Sequence, residues 1–416
     1  MNDPYAGFTK SVLSNGLEVH SVFWDRPWIV VEIVVHSGGR EDPMTMPGLA
    51  HFVEHVVCEN IPGREFNFVK EFFENCGGRA HFGSTCYLST QYRFSIPTDH
   101  TLFREALSIF GSMLLDVHID KNVERERNVI FREFNGRYPF IEKLDWDMSI
   151  RRSLFKGHRL ETWNRPLGRP EGFLSIKESD LQEFYDKHYV PANISLVIVG
   201  GFKTEELIAE LETSSFGMVK DGVRNSIPQP PYQIQIPTEK SKTVKLSDHS
   251  SFKTDQTEYS ATWAFPADFP WQSRRVFNQM LRDVLFHEIR EKRSLAYSIG
   301  TDYTNFQNVY EYVVGSRINP DATPYIDELV RKCIEMVPSR RDLFERKLRS
   351  LKQSYRMVDL SGRDLANLSA RDLSSDYRIV TLQEELDDLN KVTFDQMTEV
   401  AAILCPENQY TFIVCP

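Results

Sequence analysis

"GLAHFVEHVV", residues 48–57, decides how the rest of the chain is read. Its apolar residues at 49, 52, 53 and 56 have the spacing of a buried helix face, and Pro47 and Gly48 suit the helix entry. On that helix His51 and His55 stand one turn apart, with Glu54 on nearly the same face. Two imidazoles at i and i+4 offer a bite that tetrahedral Zn²⁺ accepts, and a carboxylate stands beside the second. Two histidines on an apolar helix can also be ordinary hydrogen-bonded core residues. A catalytic zinc needs a third protein ligand and an open position.

The third ligand is sought in "ERERNVIFREF" (124–134). Glu126 and Glu133 are seven apart, two helical turns, and share a face with Val129 and Ile130. At least one of these carboxylates is therefore expected to turn inward, where it needs a counter-charge that a metal supplies. Taken alone, the segment reads equally as a charged surface helix. The case rests on the two segments together.

With 416 residues the chain is too long for one ordinary core, so two domains near half that length are expected. The formal net charge is −10, with the acidic residues scattered, which argues against a nucleic-acid protein. The most apolar run, "WIVVEIVV" (28–35), is short and broken by Glu32, so it reads as a strand and no membrane segment is expected. The first residues lack the basic and apolar regions of a signal peptide. Six cysteines without a CxxC pair read as reduced core thiols, and the chain is expected to be cytoplasmic.

Around the helix, "GLEVHSVF" and "WIVVEIVV" read as paired strands. "REFNFVKEFFENCGG" reads as a helix ended by Gly77-Gly78, "CYLSTQYRFSIP" as a strand, "LFREALSIFGSMLLD" as a helix and "NISLVIVGGF" as a core strand. "VRNSIPQPPYQIQIPTEKSK" (223–242), with four prolines, reads as an extended linker. The order helix, short strand, strand, long helix then recurs between His287 and Val337. The reading is α+β: two homologous domains, 1–222 and 243–416, each a mostly antiparallel sheet packed with helices.

His51, Glu54, His55 and Glu133 together resemble the H-x-x-E-H inverted-zincin metallopeptidases, the pitrilysin/insulinase family. The family's third ligand is a Glu at the distance found here, with 77 residues between His55 and Glu133. Its E-x-x-V-x-x-x-E run is matched by Glu126, Val129 and Glu133. Its R-x-x-x-x-L-x-Y run is matched in "REKRSLAY" by Arg290, Leu295 and Tyr297. "SGGREDP" and "YVPANISLVIVGG" are smaller echoes. The resemblance implies one Zn²⁺ per chain on His51, His55 and Glu133, with Glu54 as the proton-transferring base. Glu126 is the second candidate catalytic carboxylate, orienting a ligand, and Arg290 and Tyr297 are the substrate-binding pair. The length is that of the half-length, mitochondrial-processing-peptidase-like subgroup, half of a clamshell. The subgroup implies an unfolded peptide as substrate and a homodimer whose site is shared between subunits.

One stretch departs from the family. After Gly77-Gly78 an Asn-Ala-x-Thr-like strand is usual, and here Ala80-His81-Phe82-Gly83 stands. Main-chain pairing with a peptide survives that change, because β-addition uses the backbone. His81 either replaces the missing Asn, touches substrate, or is a loop histidine. The competing readings are a non-catalytic or partner-dependent subunit of a heterodimer, and a dedicated maturation protease for one small peptide. Against a scaffold stands the presence of all four zinc-site residues.

Overall fold

The computed structural model describes residues 3–138, 141–161, 163, 166–219, 222–224, 232–246 and 255–416. The chain forms two compact units, each assembled from three separate stretches of sequence. The first comprises Met1–Phe134, Trp163–Pro228 and Asp359–Thr381; the second comprises Asn135–Thr162, Gln229–Val358 and Leu382–Pro416.

The first unit holds six strands: β1 (Thr9–Val12), β2 (Glu18–Phe23), β3 (Trp28–Val35), β4 (Arg79–Thr85), β5 (Thr90–Pro97) and β6 (Ile194–Gly200). Their spatial order is β1-β2-β6-β3-β5-β4. The expected pairing of "GLEVHSVF" with "WIVVEIVV" is not what forms, because β6 lies between them, parallel to β2 and antiparallel to β3. Every residue of β6 is buried, so this apolar run takes the sheet centre and separates the two. β4, in which only Thr85 is buried, is left at the edge.

The second unit holds β7 (Ser241–Lys245), β8 (Thr257–Pro266), β9 (Ala296–Asn305), β10 (Val309–Ile318) and β11 (Tyr410–Cys415), in the order β7-β11-β8-β10-β9. Apart from β1, the two orders are the same. In each, the strand that closes the half runs parallel to the first strand and antiparallel to the next. The expected duplication is therefore present in the topology.

The helices of the first half are α1 (Leu49–Glu59), α2 (Phe66–Asn75), α3 (His100–Leu115), α4 (Val123–Arg137), α5 (Ile141–Leu154), the single turn α6 (Pro170–Phe173), α7 (Glu178–His188), α8 (Thr204–Glu212) and the single turn α9 (Ser215–Met218). The second half adds α10 (Trp271–Leu285), α11 (Ile326–Met336), α12 (Arg341–Arg356), α13 (Gly362–Asp376), α14 (Leu382–Asn390) and α15 (Gln396–Ile403). None is long and apolar enough to cross a membrane, among the described residues.

The continuous boundaries expected at 222 and 243 do not anticipate α5 and α13. α5 belongs to the second unit, where Trp146 stacks on Phe412 of β11 at 5.7 Å and Arg151 pairs with Glu311 of β10 at 3.1 Å. α13 belongs to the first unit and packs on β3 and β6 through Leu365, Ala366, Ala370 and Leu373. Each sheet thus receives a helix encoded in the other half of the sequence. Of the expected linker, residues 225–231 lie outside the described residues. Residues 232–237 form no regular element, with the Tyr232 hydroxyl donating to the Leu154 carbonyl (2.5 Å), while Ser241 and Lys242 open β7 rather than prolong a linker. All six cysteines are free, but only Cys333 is buried and Cys86 is exposed, so "core thiols" describes one of them.

Candidate metal centre

α1 is fixed before its histidines are placed. The Asp42 carboxylate accepts from the backbone N–H of Gly48 (2.7 Å) and of Ala50 (2.8 Å), two donors that a helix start leaves unpaired. Gly48 enters at φ +98°, with Gly168 and the Leu167 carbonyl so close that a Cβ would lie 3.1 Å from each. Phe52, Val53, Val56 and Val57 are fully buried and anchor the inner face. This gives "SGGREDP" a physical role: it starts the helix and sets its rotation.

α4 lies against α1. The Arg127 guanidinium sits 5.0 Å from the centre of the Phe52 ring and donates to the carbonyls of Phe173 and Ile176, the latter at 2.8 Å. Ile130 and Phe134 are buried on the same helix. Of the two carboxylates expected to share a face, Glu126 is buried and Glu133 is half exposed.

Nε2 of His51 and Nε2 of His55 each lie 3.6 Å from Oε2 of Glu133. One ligand atom from each of the three residues falls within 4.8 Å of the others. Ligands about 2.0–2.1 Å from a tetrahedral zinc stand roughly 3.3 Å apart, so the carboxylate is within a few tenths of an ångström of its place. The two rings meet edge to face at 4.7 Å. Burial first, then the neighbouring His55, bring His51 down to about 3 against the opposing pull of the Glu133 carboxylate, so it is a neutral ligand. Its buried Nδ1 has no hydrogen-bond partner among the described residues. The Glu133 carboxyl is held below its usual range chiefly by the hydrogen bond with His55. A neutral imidazole, a second imidazole and a carboxylate fit zinc in kind and spacing.

Glu126 is not among the three ligand groups. Its Oε2 lies 3.2 Å from Nδ1 of His55, and its other oxygen accepts from Arg125 at 3.0 Å. This is the carboxylate–histidine arrangement that fixes ring orientation at a metal. Burial lowers the affinity of His55 for a proton, but its bonds with Glu126 and Glu133 outweigh that and raise it to about 9.

Glu54 points to β4. The Thr85 hydroxyl donates to its Oε2 at 2.6 Å. A Cβ on Gly83 would lie 2.3 Å from Glu54 Cγ and Oε1, so only glycine leaves room there, and Gly83 also has φ +146°. The ladder between β4 and β5 is irregular between His81 and Ser84, where this contact is made. Burial pushes the Glu54 carboxyl up, opposed by Thr85 and His55. Thr85 and the Glu54 contact of Gly83 escaped the sequence reading. The available signal was a glycine within a short strand, which marks close backbone approach.

Arg290 and Tyr297 lie in the second unit, and the structure brings them to each other. The guanidinium sits 4.9 Å from the centre of the Tyr297 ring and 4.7 Å from that of Phe286. A π-helical turn, Phe286–Glu291, carries Phe286 and Arg290, and Tyr297 is 79% exposed on edge strand β9.

A two-sheet α+β fold with two histidines and a glutamate on one helix, completed by a glutamate from another, defines a class of metallopeptidase-like proteins. Two models of one family match the chain, "Insulinase (Peptidase family M16)" over residues 27–137 and "Peptidase M16 inactive domain" over residues 175–347. The chain belongs to the M16 peptidase family. It is 19% identical over 414 residues to the uncharacterized zinc protease YmxG of Bacillus subtilis, covering 98% of this chain and 96% of that one. It is 27% identical over 181 residues to the probable zinc protease PqqL of Escherichia coli, covering 42% of this chain but 19% of PqqL. Rat cytochrome b-c1 complex subunit 1 is 24% identical over 203 residues, 48% of this chain and 40% of that protein. A protease from Helicobacter pylori superposes with a TM-score of 0.81 at 18% identity, covering 98% of this chain and 99% of its own. A Pseudomonas fluorescens "peptidase M16 inactive domain" structure gives 0.83 at 16%, covering 98% of each. Likeness at that identity concerns the fold.

Proposed function

We propose that the chain is a zinc-dependent endopeptidase acting on unfolded peptides. The observation that carries this is the convergence of His51, His55 and Glu133 one turn from Glu54, which faces the edge strand β4. A bound zinc would supply Lewis acidity to the carbonyl and to the attacking water. Glu54 takes the proton of that water and passes it to the leaving amine. Thr85 and Gly83 hold its carboxylate in one place, and Glu126 holds the His55 ring. The free edge of β4 gives an extended peptide a backbone to pair with. Tyr297 donates to the developing oxyanion, and Arg290 binds a substrate carbonyl or carboxylate. The working form is a homodimer in which this pair comes from the other subunit, and the protein acts in the cytoplasm.

The test is cleavage of a mixed pool of short unfolded peptides by the purified zinc-loaded chain, beside Glu54→Gln. The variant should bind zinc in equal amount and lose about 10²–10⁴ in kcat. Equal cleavage by both would remove Glu54 as the base. A second reading, a subunit that acts only with a different partner, draws on the similarity to the b-c1 subunit. A zinc-loaded wild type that cleaves nothing alone, and cleaves once a partner is added, would favour it.

A further inference from the structure

β4 leads away from the metal centre to a cavity of about 440 Å³, all within the first unit. It is walled by Trp28, Ser95, Arg79, Ser361 and Arg363. The register explains why it exists. Val30 pairs with Ser95, and Ser95 with Arg79, so these residues share the face of the sheet on which α13 packs. α13 begins beside Trp28: a Cβ on Gly362 would lie 2.2 Å from the indole. The helix covers β3 and β6 and leaves the β5–β4 end of this face open.

Two guanidinium groups border that opening. Neither Arg79 nor Arg363 forms an ion pair with any described carboxylate, and both are exposed. The nearby Arg93 is different, because it pairs with Glu32 at 3.2 Å. A chain of net charge −10 therefore presents two guanidinium groups without an ion pair among the described residues around one cavity, Arg363 being felt only at longer range by the buried Glu32, at the start of the strand that touches Glu54 at its other end.

We infer that this cavity binds a carboxylate of the peptide substrate, on the carboxyl side of the cut. The inference rests on the peptidase reading for the peptide's position. Arg79 precedes Gly83 by four residues, about 13 Å of extended chain. A peptide paired antiparallel to β4 passes Glu54 first and Arg79 afterwards, so its carboxyl-terminal portion reaches the arginines. A parallel peptide would bring its amino-terminal portion, and a terminal ammonium would be repelled there. The carboxylate belongs either to the peptide's C-terminus or to an Asp or Glu side chain, about four or five residues beyond the scissile bond. Guanidinium forks suit both.

The test uses the full chain in two settings. Binding of a labelled peptide to zinc-loaded Glu54→Gln is measured by fluorescence anisotropy, and cleavage by the wild type is followed by mass spectrometry. The peptides are one sequence with a free or amidated C-terminus, and with Glu or Gln placed three to six residues after the cut. Removing the relevant carboxylate should weaken binding and lower kcat/KM about fivefold. Loss on amidation identifies the terminus; loss on Glu-to-Gln exchange identifies the side chain. Arg79→Gln with Arg363→Gln should abolish the discrimination while leaving binding of the carboxylate-free peptide unchanged. Discrimination that survives both substitutions, or cleavage without any discrimination, would overturn the cavity's role and leave the peptidase reading intact. Discrimination in binding without cleavage by the wild type would uphold the cavity and overturn the peptidase.

Discussion

Glu54 is shaped by a residue that contributes no side chain. Gly83 stands where any Cβ would overlap the Glu54 carboxylate, on backbone with φ +146°. Gly83→Ala should therefore displace Glu54 while sparing the metal ligands. We expect zinc content to stay at one per chain and kcat to fall by about 10²-fold, the usual cost of a misplacement near 1 Å. Zinc analysis beside peptide kinetics checks it, and unchanged kcat would show that the carboxylate relaxes freely. Glu126→Gln tests a different link. It keeps the shape but weakens the bond to His55 Nδ1, so zinc affinity should drop about 10–100-fold, read by competition with a chelator. The histidine pair was legible in sequence because an i, i+4 spacing survives translation into geometry. Spacing left Glu126 and Glu133 equally open, and only the family resemblance singled out Glu133, which the structure brings to 3.6 Å from both histidines. Thr85 was not legible, since its role depends on how an edge strand bulges against a helix 31 residues earlier in the chain.

At the scale of elements, β3 carries a buried carboxylate whose cost is measurable. Glu32 accepts from Arg93 at 3.2 Å, yet burial outweighs that pair and the Asn367 contact and lifts its pKa from 4.5 to about 7. Between those two values the folded chain holds the proton more tightly than the unfolded chain. The associated stability is fully present below pH 4.5 and is lost as pH rises through about 7. Glu32→Gln removes that slope and retains an acceptor for Arg93. We expect the variant to match the wild type near pH 4.5 and to exceed it at pH 8 by about 3 kcal/mol, seen as a raised midpoint in urea. A parallel pH dependence in both proteins would show that Glu32 stays ionised. Strands such as β3, β5 and β6 and helices such as α1, α2 and α3 were readable from periodicity, but several later helices were not read at all, and neighbour relations were not readable. The apolar runs of β2 and β3 look like partners, and only the fully buried β6 shows why they are separated. The exchange of α5 and α13 was equally invisible, because α5 has no clear apolar stripe to mark it and the apolar face of α13 does not encode which sheet it will meet.

For the whole molecule, the metal ligands and the Arg290–Tyr297 pair belong to different units, and the proposed homodimer supplies the second from the other subunit. That arrangement has a quantitative signature. Glu54→Gln and Arg290→Ala should each be nearly inactive when pure. Coexpressed in equal amounts with free exchange, half of the dimers combine one of each. In such a dimer one site has both defects, and the other joins a wild-type Glu54 to a wild-type Arg290. About a quarter of wild-type activity should return, because half of the dimers have one restored site of two. Arg290→Ala mixed with wild type should instead follow the fraction of wild-type chains supplied, because each mixed dimer keeps one working site of two. Activity of the double coexpression no higher than the mean of the two pure variants would place Glu54 and Arg290 of each working site in the same chain. The partner pair would then act within its own subunit, and a requirement for a second copy would have to rest on enclosure of the peptide alone.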